Sequence, residues 1–268
     1  MAIGGLLIAS LGKDQPVLSV LNHRYMRLGI VIALVAVGVN FLVQVGYLAD
    51  SGWAGLFNLT YAEIIWDSPV GDSTLIRLLA LAAMLLVMIF VPGLHVLLAA
   101  CALALAGSFA LVGHTTDLSL ITRGLLGLHV LIALLWVGSL LPLWQACQLL
   151  EISRLKQLMQ QFSLIAMGFV AALLLCGVLV AWQLLGSLSE LFTSNYGRLL
   201  LIKIILVCTM LGFAAWNKWR LVPKLNGTPS VRRLERSILL ECLVGITVLV
   251  LTVLMTSLTG PESVHGHH

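Results

Sequence analysis

Seven long apolar runs constrain this chain more than any other feature of its sequence. A helix needs about 20 apolar residues to cross a bilayer, and inside the bilayer its backbone groups must bond to one another. Charged residues, proline and glycine separate the runs. The predicted spans are 28–49, 74–91, 94–113, 123–144, 159–185, 198–216 and 237–258. The sequence therefore predicts an all-α fold, a polytopic transmembrane helical bundle with seven full spans.

Composition excludes most soluble alternatives. Sixty per cent of the residues are hydrophobic and only 10% are charged, against about 25% charged in soluble domains. The five cysteines are scattered without a CxxC pair, which disfavours a disulfide framework or a zinc site. No GxSxG, HExxH or P-loop motif is present, so we predict neither an enzyme nor an ATP-driven pump. The net charge of +4 does not indicate nucleic-acid binding, because topology explains the basic residues better.

The segment before the first full span is apolar but short. Residues 3–11 would make a helix of about 14 Å, which cannot cross a bilayer alone. A signal peptide would carry basic residues before its apolar core, and none precede this one. We therefore expect residues 1–12 to form a partial first helix of a single transmembrane domain, 1–268. Residues 259–268 are predicted to be a histidine-containing tail.

Basic residues predict the orientation of the bundle. If the segment before residue 28 is cytoplasmic, 11 of the 15 Lys and Arg residues lie on the cytoplasmic side. The four on the other side are Arg77, Arg123, Arg198 and Lys203. Short cytoplasmic loops carry such an excess of positive charge. The C-terminus and its tail are therefore predicted to be periplasmic.

Two histidines stand at the periplasmic side of neighbouring spans. His129 lies about 9 Å along its helix from Arg123 and shares a helix face with Ala133 and Trp136. It is either a neutral ring that donates to a carbonyl of another helix or a metal or haem ligand. His114 ends the preceding span, so the two rings could converge on one ion.

Other candidate ligands are softer or lie further away. Met84 and Met88 are one helical turn apart, and such thioethers suit Cu(I), although methionine also fills gaps in apolar cores. His95 follows the Pro92-Gly93 turn and extends this series towards the cytoplasm. The tail histidines His265, His267 and His268 would capture metal, or form a remnant of cloning or a tail without function.

Five segments resemble one known family, and they extend across most of the chain. They are GHTT at 113–116, LHVLIALLWVGSLLPLW at 128–144, YGRLLLIKIILV at 196–207, NKWRLVPKL at 217–225 and RLERSILLE at 233–241. Together they are similar to the copper resistance D (CopD) family over about residues 28–261. The resemblance implies a bacterial inner-membrane protein, typically with eight spans, of which this chain begins within the first.

The resemblance also implies a function and its residues. Family members are regarded as moving copper towards the cytoplasm, often beside a periplasmic copper-binding partner of the CopC type. The family histidines correspond to His114 and His129, whereas the methionine pair and the tail have no family counterpart. Gly138-Ser139 stands where relatives commonly have Gly-Gly, a change that still permits close packing.

These observations predict a passive copper permease in contact with the lipid bilayer, with the oxidation state of copper left open. Two alternatives remain at this stage. One is a redox protein that holds b-type haem between histidines of adjacent helices. The other is a copper-binding subunit that does not transport.

Overall fold

A computed structural model describes residues 1–12, 16–91, 93–112, 119–184 and 189–258. Helices account for nearly all of these residues. Within them the ten α-helices are α1 (Ala2–Leu11), α2 (Pro16–Ala49), α3 (Leu59–Trp66), α4 (Pro69–Phe90), α5 (His95–Gly107), α6 (Leu120–Leu149), α7 (Ile152–Leu184), α8 (Glu190–Thr193), α9 (Asn195–Trp216) and α10 (Thr228–Leu258). Short 3₁₀ helices cover Gly52–Phe57 and Ser108–Leu111, and a π-helical turn covers Asn217–Leu221. The predicted all-α class is confirmed.

Capping side chains fix where several helices begin. Asn58 accepts hydrogen bonds from the first backbone amides of α3, and Ser68 does the same for α4, whose first residue is proline. Ser119 caps α6 and Ser194 caps α9 in the same way. The first amides of a helix have no partner within the helix, so these side-chain oxygens accept the hydrogen bonds that water would otherwise accept.

Six helices are long and apolar enough to cross a membrane: α2, α4, α6, α7, α9 and α10. The remaining predicted span, 94–113, corresponds to a shorter helical segment, His95–Leu111. Its α-helix ends at Gly107 and continues as 3₁₀ helix, which places it near the lower length limit for a span. The structure thus supports six of the seven predicted spans by length and composition.

The predicted partial first helix is present as α1, and it packs tightly. A Cβ atom added to Gly4 would lie 2.1 Å from the carbonyl carbon of Gly138 in α6. Ser139 Oγ donates to the Gly4 carbonyl at 3.2 Å, and Asn22 Nδ2 of α2 donates to the Gly5 carbonyl at 2.7 Å. The expectation that Gly138-Ser139 permits close packing is confirmed, because the backbones of α1 and α6 meet there.

Helix α6 separates two hydrophobic cores. The N-terminal half comprises α1, α2, α4 and α5, and its buried core includes Met26, Met84, Met88 and Cys101. The C-terminal half comprises α6, α7, α9 and α10, and its core contains Trp136, Leu140 and Leu143 of α6 together with Ile8 of α1 and Leu18 of α2. Side chains of α6 therefore contribute mainly to the second core, while its Gly138-Ser139 step holds the first half in place.

Candidate functional site

His129 lies on α6 where that helix packs against α7. Its Nδ1 lies 3.1 Å from the carbonyl oxygen of Leu173 in α7. A carbonyl can only accept, so Nδ1 must carry the proton, and Nε2 keeps its lone pair. Metal-binding histidines are commonly oriented by such a bond from the second nitrogen. The ring therefore donates to a carbonyl of another helix, which is one of the two predicted roles of His129. Its Nε2 atom can still bind a metal, which is the other predicted role.

The surroundings of the His129 ring are narrow and positively charged. A Cβ atom added to Gly177 would lie 3.1 Å from the ring carbon Cε1, so this glycine provides the space for the ring. Lys203 of α9 lies close enough for its positive charge to act on the ring. Because like charges repel, a cation on Nε2 would be bound weakly.

Met84 and Met88 are fully enclosed on the inner face of α4. Their exposed fractions are 0% and 3%, and both belong to the core of the N-terminal half. That core also contains Met26 of α2 and Cys101 of α5. Three thioethers and one thiol thus belong to the same buried hydrophobic core, and we call these four side chains the sulfur cluster. All four groups are neutral, soft potential ligands for copper.

The other predicted ligands are placed elsewhere. His95 begins α5 and its side chain is exposed, with its backbone amide bonded to the Gly93 carbonyl at 2.8 Å. His114, His265, His267 and His268 lie outside the described residues. Within the described ranges, no three His, Cys, Asp or Glu side chains group together as a metal site. His129 faces α7 and the methionines pack between α2, α4 and α5, so the structure places these candidates in different halves.

Three functional candidates were missed at the sequence level. Met26 lies between Arg24 and Arg27, so it was placed before the first span, whereas α2 begins at Pro16 and carries Met26 into the core. Cys101 is one of the five scattered cysteines, whose spacing indicates no site. Glu241 was quoted only as part of a motif, although a carboxylate in an apolar run is itself a signal of function. Its exposed fraction is 3%.

Comparison with known proteins gives two family matches, one towards each end of the chain. Residues 1–127 match the family model described as "Copper resistance protein D-like, N-terminal domain", and residues 156–255 match "Copper resistance protein D". The chain is also similar to the "Inner membrane protein YebZ" of Escherichia coli (strain K12). The two are 29% identical over 221 residues, which cover 77% of this chain and 74% of that protein. No solved structure matches.

Proposed function

Since this chain belongs to the copper resistance D (CopD) family, we propose that it is a passive copper permease. In this proposal the protein lies in the inner membrane, the location named for its relative YebZ, and moves copper from the periplasm towards the cytoplasm. The long apolar helices suit a multi-pass membrane protein. No feature of the described residues requires a catalytic role.

The buried sulfur cluster is the observation that carries the proposal. Met26, Met84, Met88 and Cys101 are each at most 7% exposed, in a region that water does not reach. A charged ligand would be costly there, whereas a thioether is neutral and binds soft metal ions. The cluster therefore provides soft donors for Cu(I) within the bilayer, without burying a carboxylate.

His129 is proposed as a separate, outer ligand. Its Nε2 is available and the nearby Lys203 charge would weaken the bond to a cation. A transport site must bind strongly enough to admit the ion and weakly enough to release it. A periplasmic copper-binding protein of the CopC type would deliver copper to this face.

The test exchanges both methionines of α4. Met84→Leu with Met88→Leu removes two thioethers at nearly constant volume, so the fold should persist. We expect copper uptake into proteoliposomes to fall by roughly tenfold, the lower range for a disturbed metal site. The matched control is Met159→Leu with Met210→Leu, which makes the same exchange at two buried sites of the other half. Unchanged uptake in the first pair, or an equal fall in both, would contradict the proposal.

The orientation has its own test. We expect a reporter fused after His268 to be periplasmic and one inserted near Gly227 to be cytoplasmic, because six basic residues lie within 218–236. Enzymatic reporters that are active on only one side of the membrane distinguish the two. The reverse pattern would place His129 on the cytoplasmic side and reverse the proposed direction of entry.

A further inference from the structure

Helices α7 and α9 leave a gap between them. Helix α7 packs on α6, and α9 packs on α10, but α7 and α9 hardly contact each other. The gap contains a cavity of about 380 Å³ whose walls come from both helices and whose floor comes from α6 and α10. Ligand pockets for small organic molecules begin at about this volume.

The walls of the cavity are apolar and reach the outer surface of the bundle. Ala171, Leu174 and Met167 line one side, and Leu211 and Ala215 line the other. Leu174 and Met167 are also among the exposed hydrophobic side chains. In a chain that spans a membrane, such side chains face hydrocarbon. The cavity is therefore a cleft that is open sideways to the bilayer.

A polar group lies at the floor of this cleft. Glu241 of α10 accepts a hydrogen bond from Trp136 Nε1 at 2.9 Å and another from Asn217 Nδ2 at 3.1 Å. Asn217 belongs to the π-helical turn after α9, a type of distortion that is frequent at functional sites. Its Oδ1 atom is buried and has no hydrogen-bond partner. The floor thus offers a carboxylate and an unsatisfied amide oxygen, both of them acceptors.

The carboxyl group of Glu241 lacks a nearby counter-charge. Both of its hydrogen-bond donors are neutral, and among the described residues no basic side chain donates to it. Lys218 also lines the cleft, but its ammonium group donates to the sulfur of Met167 at the rim. Burying an unpaired carboxylate is costly, so the site favours a ligand that brings a positive charge and hydrogen-bond donors.

We propose that this cleft binds an amphiphile of the bilayer that carries a protonated amine. The ammonium group donates to Glu241 and to Asn217 Oδ1, and the apolar part lies between α7 and α9. A bare metal ion would leave most of the 380 Å³ unfilled and the apolar walls without a partner. The site is distinct from the sulfur cluster, which belongs to the other half, so it goes beyond the proposed copper transport.

The experiment measures binding of dodecylammonium to the full-length protein in nanodiscs, with dodecanol as the uncharged probe. We expect saturable binding of dodecylammonium and much weaker binding of dodecanol. Glu241→Gln should weaken dodecylammonium binding by at least about tenfold, since a hydrogen bond to a charged group contributes about 1.5–3 kcal/mol. The matched control is Glu235→Gln on the same helix, where the carboxylate bonds Gln148 outside the cleft. That variant should bind as the parent does.

A second variant tests the cleft without touching the carboxylate. Ala171→Phe places a ring in the apolar part from an exposed position on α7, and it should also abolish binding while the protein stays folded. Equal binding of dodecanol would overturn the proposal in favour of an acyl chain. If copper displaces dodecylammonium from the parent protein but not from Glu241→Gln, the result would overturn the proposal in favour of a metal-ion site. Equal weakening by Glu235→Gln would show non-specific attraction and would also overturn it.

Discussion

The two halves of the bundle differ in the polar side chains that they bury. In the N-terminal half, the buried polar side chains of the described residues are neutral: Asn22, Ser73, Thr74 and Ser108. Its core also contains the sulfur atoms of the sulfur cluster. The C-terminal half buries the carboxylate of Glu241 and leaves a cleft beside it. Buried sulfur occurs in both halves, since Cys147, Met159 and Met210 belong to the C-terminal core, whereas the buried carboxylate belongs to the C-terminal half alone among the described residues.

The two halves also differ in how closely their helices pack. Helix α1 approaches α6 so closely that Gly4 has no space for a side chain and Gly138 has very little, and Tyr25 donates to the Gly138 carbonyl at 3.0 Å. In the other half, α7 and α9 stay apart. A closed half suits the holding of a small ion, whereas an open half suits a larger ligand that enters from the lipid.

The largest effect is expected from Gly4→Ala. The new methyl carbon would lie 2.1 Å from a backbone carbon of Gly138, so α1 must move away from α6. We expect the free energy of unfolding to fall by about 2–3 kcal/mol, the upper range for overpacking, in denaturant titrations of the purified protein. Gly38→Ala in α2 is the control, because nothing lies within 4 Å of its added Cβ. An equal loss of stability in both variants, or no loss in Gly4→Ala, would show that the close approach of α1 is unimportant.

An intermediate effect is expected from His129→Ala. Because Nε2 of this ring is the proposed ligand, copper affinity of the purified protein should fall by roughly tenfold. His23→Ala is the control, since the His23 ring bonds the Ser19 carbonyl of its own helix at 2.8 Å. If both substitutions weaken binding equally at matched protein amounts, His129 is structural. If His129→Ala lowers the copper affinity more than Met84→Leu with Met88→Leu does, the main copper ligands do not lie in the N-terminal half.

The smallest effect is expected from Gly177→Ala. Its Cβ would lie 3.1 Å from His129 Cε1, so the ring must shift by a few tenths of an ångström. We expect a loss of stability below about 1 kcal/mol and a copper affinity a few-fold lower at most. Gly168→Ala on the same helix has open space and should show neither change. Thermal unfolding and copper titration of both variants make the comparison, and identical affinities would indicate that the position of the ring does not matter.

The sequence predicted where the helices lie along the chain, but not which side chains pack against one another. Apolar length predicted the six spans that the structure supports, since hydrogen bonding within a bilayer leaves few alternatives to a helix. Boundaries were less certain at α2, because Arg24 and Arg27 suggested a solvated segment. Arg27 instead extends to the backbone carbonyl of Met88 at 3.3 Å, and the helix continues past it. Because Arg27 suggested a solvated segment, the sequence did not predict that Met26 is buried in the sulfur cluster.

The cleft could not be predicted for a different reason. Glu241 meets Trp136, which lies 105 residues away in sequence, and the cavity exists because α7 and α9 fail to pack. Neither fact is encoded in the periodicity of a single helix. The sequence did place His129 on the same face as Trp136, which is consistent with both residues lying on the side of α6 towards the C-terminal half.

The contact between Gly4 and Ser139 also has a consequence for biosynthesis. The two residues are 135 positions apart, and α1 is too short to be stable alone in a bilayer. At 5–20 residues per second, a ribosome needs roughly 7–27 s to make the intervening chain. During that time α1 can pack only on the helices of the N-terminal half, and its contact with α6 is missing. The N-terminal half, although made first, therefore reaches its final packing only after α6 is inserted.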